Sequence, residues 1–123
     1  MAVSDAVVVD AGSAITVDVV KNGSFMGGFI YPGVRAMSAC YKNISPALDY
    51  SFNFSLDLER LPKNSQDAIS YGFLKTLYRE VIFYDLPIIL TGGDAELLQG
   101  IFPQANINQK LIFTGMKKII SII

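Results

Sequence analysis

Between Val7 and Val20 the chain reads VVVDAGSAITVDVV: two β-branched apolar runs joined by a turn of small residues, each run carrying one carboxylate. β-branched side chains are stiff at χ1 and pack well on a pleated surface, so runs this short form strands rather than helices. Residues 6–10 are expected as a buried strand, Ala11-Gly12-Ser13 as a turn, and Ile15 to Val20 as a second strand. Asn22-Gly23 is a strong hairpin signal, because both residue types tolerate positive φ. Ser24 to Ile30 follows as a third strand. A chain that opens this way must begin with an antiparallel meander.

Pro32-Gly33 ends the meander, and Val34, Met37 and Tyr41 share one face of a short helix that stops near Asn43. Cys40 lies among these helix positions and is expected in the core. From Tyr50 to Leu58 every even position is apolar, which predicts an extended, half-buried segment and leaves its pairing open. Asn64-Ser65-Gln66-Asp67 is a helix start with a hydroxyl cap and an acidic first turn. Ile69, Phe73, Leu77 and Val81 then run at i+4 spacing beside Leu74, Tyr78 and Ile82, the stripe of a long amphipathic helix facing a sheet. Pro87 to Leu90 suits a buried strand, and TGGDAELL passes from strand to helix. Leu111 to Thr114 is expected as a last strand, with Gly115 leading into a short C-terminal helix. This order predicts one α/β domain, of α+β character, over residues 1–123. It is a mixed sheet starting with three antiparallel strands and carrying packed helices, in the manner of ribonuclease H-like and actin-like domains.

Absent residue types narrow the chemistry. There is no His and one Cys, which excludes Ser-His-Asp and Cys-His nucleophiles and ordinary zinc sites. A single Cys allows no internal disulfide, and a cytoplasmic location is expected. Ten basic residues against eleven acidic ones, without a block of like charge, argue against nucleic-acid partners and a polybasic membrane surface. The apolar runs are broken by Asp85, Gly92-Gly93 and Lys117-Lys118, so no membrane span is expected, and MAVSDAVVV lacks the marks of a signal peptide. Carboxylates, hydroxyls, backbone amides and hard cations remain.

Two stretches concentrate those groups. In DAGSAIT a tight turn exposes backbone N–H groups, Gly12 allows an oxygen-rich ligand to come close, and Ser13 and Thr16 add hydroxyls. Asp10 can hold a cation or an ordered water near a phosphate. The alternative is a plain hairpin whose Asp and Ser satisfy turn amides. TGGDAELL places two glycines before a helix start, a geometry suited to a nucleotide, while Asp94 also suits a helix cap. In GGFIYPG, Gly27 and Gly28 inside a strand signal a bulge or the close approach of another chain.

In this order the stretches resemble the C-terminal half of type III pantothenate kinases, within the superfamily of acetate and sugar kinases, heat-shock chaperones and actin. DAGSAIT resembles the family's second phosphate motif, GGFIYPG its dimer-interface motif, and TGGDA its adenosine motif. PKNSQDAISYG resembles its segment of type G-K-x-T-x-x-A-I-x-x-G, with Pro62 where the pattern has Gly. The resemblance implies a homodimeric kinase that phosphorylates pantothenate with ATP in the first step of coenzyme A biosynthesis. It implies Mg²⁺ and a monovalent cation, K⁺ or NH₄⁺, as cofactors. It further implies that Asp10 binds the monovalent ion, that Gly12, Ser13, Gly92, Gly93 and Asp94 bind ATP, and that Ser65 touches pantothenate across the dimer interface. Gly27, Gly28, Ile30, Pro32 and Gly33 would form that interface. Ser13 and Ser65 stand where Thr is usual and keep the hydroxyl.

The family's first phosphate motif and its catalytic Asp belong to an N-terminal domain absent from these residues, the Asp upstream of Met1. The chain alone is therefore expected to be inactive. A non-catalytic nucleotide-binding or dimerisation module, such as an accessory or regulatory protein, is the alternative. A ribonuclease H-type nuclease using Asp10 and Asp18 lacks further carboxylates at a recognisable spacing.

Overall fold

The computed structural model describes residues 4–114 and 118–121. Strands β1 (Ala6–Ala11), β2 (Ala14–Lys21) and β3 (Ser24–Pro32) form the expected meander. Asn22 and Gly23 close its second hairpin with φ of 53° and 75°, the positive values that a tight two-residue turn requires. Register slips between Val19 and Val20, opposite Gly27 and Phe25, so the glycine pair does mark a bulge. Helix α1 (Val34–Ile44), a 3-10 turn at Pro46–Leu48 and helix α2 (Ser65–Ile82) then carry the chain across to β4 (Ile88–Thr91). A crossover of this length is what a parallel pairing needs. β4 lies parallel to β1, and β5 (Asn106–Ile107) parallel to β4, beyond the short helix α3 (Ala95–Leu98). The five-stranded order β3-β2-β1-β4-β5 is the expected mixed sheet of the ribonuclease H-like and actin-like class.

β1 is central, and side-chain alternation decides what each face carries. Val7, Val9, Ala11, Ile15, Val17 and Val19 point to the face covered by Phe73, Leu74, Leu77 and Val81 of α2. The opposite face carries Ala6, Val8 and Val20, packed with Ile89. Strand β1 is therefore buried from both sides, which is why its run is continuously apolar up to Asp10.

Four local expectations change. The segment Tyr50 to Leu58 joins no strand, although Phe52, Phe54, Leu56 and Leu58 do turn toward the core. Side-chain bonds hold it instead: Asn53 N donates to Ser70 Oγ at 2.8 Å and Lys75 Nζ to the Leu58 carbonyl at 2.7 Å. Alternation reports which side chains are buried, not whether a strand edge is free to pair. The cap of α2 is Asn64, not the Ser65 hydroxyl; its Oδ1 accepts from Asp67 N at 2.9 Å, while its Nδ2 donates to Asp67 Oδ2 at 3.0 Å. A carboxamide both accepts and donates, so it closes a reciprocal box that a hydroxyl closes less well. Cys40 is exposed, because it falls off the Val34–Met37–Tyr41 stripe on which α1 rests. Residues Lys118–Ser121 form a strand, β7, antiparallel to β6 (Leu111–Thr114), where a helix was expected; Ile119 and Ile120 are β-branched and favour the extended form. Gly115 lies outside the described residues.

Phe73 is fully buried between α2 and the sheet, and Phe83, just past the helix, is 76% exposed. Phe73→Ala is expected to cost about 3–5 kcal/mol in urea denaturation, and Phe83→Ala less than about 0.5 kcal/mol. Equal losses would mean that α2 does not pack through its predicted stripe.

Candidate functional site

Because β1 and β4 are parallel neighbours, their C-terminal ends leave the sheet on the same edge, where ligands collect in open α/β sheets. The turn after β1 (Gly12-Ser13) and the turn after β4 (Gly92-Gly93-Asp94) therefore meet. Asp94 N donates to the Ala11 carbonyl at 2.9 Å and Gly33 N to the Ser13 carbonyl at 3.2 Å. Two glycines make these contacts possible. Gly92 has a φ of +89°, and a Cβ there would fall 2.5 Å from Asp10 Oδ1 and 2.7 Å from the Ala11 carbonyl oxygen. A Cβ on Gly33 would fall 2.7 Å from the Gly12 carbonyl oxygen.

The meeting encloses a cleft of about 540 Å³ lined by Ala11, Gly12, Ser13, Arg35, Ala36, Gly93 and Asp94. Both ATP motifs anticipated from the sequence face it. The amides of Ser13 and Gly93 form no hydrogen bond among the described residues. Helix α1 begins at the cleft with Gly33 as its cap, no capping side chain and no acidic residue in its first turn. Such a start leaves amide donors and a positive dipole end directed outward. Asp94 stands at the cap position of α3 but makes no side-chain capping bond, so the plain capping role considered for it is not realised. Its carboxylate is left for the cleft.

Gln109 went unnoticed in the sequence. Its Oε1 accepts from Gly92 N at 2.9 Å and its Nε2 donates to the Gly92 carbonyl at 2.8 Å, a two-point clamp on the positive-φ glycine. Thr91 Oγ1 lies 3.4 Å from the same Oε1. A glutamine just after a two-residue strand carries no local signal of that role. Arg35 was also missed, since nothing before the fold brings the start of α1 to the tip of the first hairpin.

Asp10 faces a different cavity. About 320 Å³ in volume, it is lined by Asp10, Thr16, Asp18, Phe25, Gly28, Phe29 and Ile30. Asp10 pairs with Thr16 and Val8 with Asp18 across the hairpin, which sets both carboxylates on one face of the sheet. Asp18 is only 8% exposed, and its Oδ2 has no hydrogen-bond partner among the described residues. Burial, and then the charge of Asp10, pushes the Asp18 carboxyl up to about 6 from 3.8. Among the described residues no group of three or more His, Cys, Asp or Glu is arranged to hold a metal. The oxygens of Asp10, Asp18 and Thr16 are nonetheless a hard donor set, and the orphaned Oδ2 is the kind of atom a cation would satisfy.

The remaining candidates lie elsewhere. Ser65 is exposed as the first residue of α2 and does not line the cleft. Gly27, Gly28, Ile30 and Pro32 lie on edge strand β3, where Ile30 is 72% and Met26 62% exposed. Gly33 is buried beneath the hairpin tip. No helix of the described residues is long and apolar enough to cross a membrane.

Gln109→Ala removes both clamp bonds, and amide exchange at Gly92 should quicken by about tenfold while exchange in α2 stays unchanged. An unaltered Gly92 rate would refute the clamp. Asp18 binds its proton more tightly folded than unfolded. Its contribution to stability is therefore present at low pH and lost as pH rises through about 6. Asp18→Asn should stabilise the chain by on the order of 2 kcal/mol at pH 8 in buffer free of K⁺ and Mg²⁺. That gain should shrink below pH 6 and vanish near pH 4, as followed by urea titration at each pH.

Residues 1–82 match the family model for type III pantothenate kinase. The chain is 60% identical over 118 residues to a type III pantothenate kinase of Sulfurimonas denitrificans, covering 96% of this chain and 58% of that protein. It is 42% identical over 120 residues to the enzyme of the same description from Campylobacter jejuni, covering 96% of this chain and 57% of that one. A crystal structure from Campylobacter jejuni, of a protein assigned to the Baf family of transcriptional activators, superposes with a TM-score of 0.78 at 39% identity over 87% of this chain and 52% of that one. The chain thus spans just over half the length of the curated relatives it matches. With the motifs in order and the family model covering most of the sequence, the chain belongs to the type III pantothenate kinase family.

Proposed function

We propose that these residues form the ATP-binding and dimer-forming domain of a pantothenate kinase, which transfers the γ-phosphate of ATP to the hydroxyl of pantothenate and so begins coenzyme A synthesis in the cytoplasm. The observation that carries this reading is the convergence of Gly12-Ser13 and Gly93-Asp94 on one cleft with unpaired amides. The backbone N–H of Ser13, with the Ser13 hydroxyl, is suited to phosphate oxygens, while the Gly12 amide is held by the Ala14 carbonyl. Gly93, where a Cβ would meet nothing within 4 Å, leaves room for the adenosine, Gly92 seats the turn against β1, and Asp94 offers its carboxylate to ribose hydroxyls.

Asp10, supported by Thr16 and Asp18, would hold the monovalent cation, K⁺ or NH₄⁺; the unsatisfied Asp18 Oδ2 supports a positive charge there. Mg²⁺ bound with ATP would neutralise phosphate charge during transfer. A homodimer through Gly27, Gly28, Ile30 and Pro32 of β3 is supported by the exposure of Ile30 and Met26 on an edge strand. In that assembly Ser65, outside its own chain's cleft, would serve pantothenate in the partner's site.

Phosphoryl transfer requires positioning groups on both sides of the nucleotide. Among the described residues no candidate base lines the cleft beyond Asp94, so the 123-residue chain by itself is expected to bind ATP without turning it over. Because the cleft and the edge strand are both built from these residues, a nucleotide-binding or dimerisation module without catalysis is the second reading.

Calorimetric titration with ATP, with and without Mg²⁺, tests the first reading. ATP should bind, Mg²⁺ should strengthen it, and Gly92→Ala should abolish it by displacing the second turn from Asp10 and Ala11. Failure of the unaltered chain to bind ATP at millimolar concentration would refute the reading. Pantothenate-dependent ADP release by the chain alone would overturn the expectation of inactivity. A chain that stays monomeric at high concentration in sedimentation would remove the dimer.

A further inference from the structure

Among the side chains lining the 540 Å³ cleft, Arg35 is the single cation. It is the second residue of α1, reaches the cleft from the end of the meander, and is exposed. It has no ion pair within 4.0 Å among the described residues, although Asp94 lines the same cleft. A guanidinium that shares a cleft with a carboxylate yet remains unpaired keeps all of its donors open for a third group. That group is an anion. The amides of Ser13 and Gly93, which line the same cleft, are also donors without acceptors among the described residues, so the positive side of the cleft is internally unsatisfied.

Within a nucleotide the negative charge resides on the phosphates and not on the base or ribose. Arg35 lines the cleft with the Gly12-Ser13 turn, the part suited to phosphate oxygens, and its planar fork can take two of them at once. We propose that Arg35 is a phosphate-binding residue of this cleft, gripping the nucleotide's polyphosphate together with the Gly12-Ser13 turn. The assignment rests on the nucleotide reading above and adds to it a discriminating residue. Arg35 selects for phosphate number, so that ATP binds more tightly than AMP or adenosine by an amount that depends on this one side chain.

Calorimetry on the whole chain with ATP, AMP and adenosine, for the unaltered protein and for Arg35→Gln and Arg35→Lys, tests the proposal. A lost charge-assisted bidentate contact corresponds to about a ten- to hundredfold weaker affinity. Arg35→Gln should weaken ATP by that factor and leave adenosine unchanged. Arg35→Lys should recover part of the loss, because it restores the charge but not the fork. The loss should also diminish at high salt. Equal ATP affinity in Arg35→Gln and the unaltered chain would overturn the assignment while leaving the cleft a nucleotide site. Parallel weakening of ATP and adenosine would also overturn it, because a merely structural role for the α1 start predicts that pattern. Absence of ATP binding by the unaltered chain would remove the nucleotide reading itself, and the role of Arg35 with it.

Discussion

The candidate site depends on one backbone contact, the seating of the Gly92 turn against the end of β1. The Ala11 carbonyl accepts from Asp94 N at 2.9 Å, and Gly92 lies so close to Asp10 and Ala11 that no side chain fits between. That approach brings the two motif turns to the same cleft. The parallel pairing of β1 with β4 aims the turns at each other, and Gln109 holds Gly92 from the far side through two further bonds. Remove the close approach and the two motifs remain, but not on a common ligand.

Charge is distributed unevenly about the hairpin tip. On the cleft side, unpaired amides, the start of α1 and Arg35 outweigh the single carboxylate of Asp94. On the face of the sheet below, Asp10 and Asp18 share a cavity with no compensating cation among its lining residues. The alternation of β1 and β2 creates this division. Asp10 and the Gly12-Ser13 turn are within four residues of each other in sequence yet line different cavities.

The edge strand β3 poses a separate physical problem. It runs nine residues along the edge of the five-stranded sheet, and Met26 and Ile30 are exposed along it. The bulge opposite Val19 and Val20 twists this edge, one of the devices that restrain indiscriminate pairing.

Short-range physics was legible in the residues. β-branched runs, an Asn-Gly turn and the i+4 stripe of Ile69, Phe73, Leu77 and Val81 each identify an element through interactions among near neighbours. The two glycine-bearing turns were legible for the same reason, since glycines at a strand end determine local backbone freedom. What depended on distant partners was not. The alternation of Tyr50 to Leu58 is genuine burial without a strand to pair with, and Lys118–Ser121 is extended because β6 lies alongside it. Arg35 and Gln109 become site residues only when the sheet closes, as does the stranding of Asp18 Oδ2 without a partner. The sequence by itself determined the opening meander, helices α1 and α2 and the two motif turns, because those follow from local backbone preference and side-chain period. Only the tertiary structure decided that the turns share a cleft, because that depends on the parallel pairing of β1 with β4 across more than seventy intervening residues.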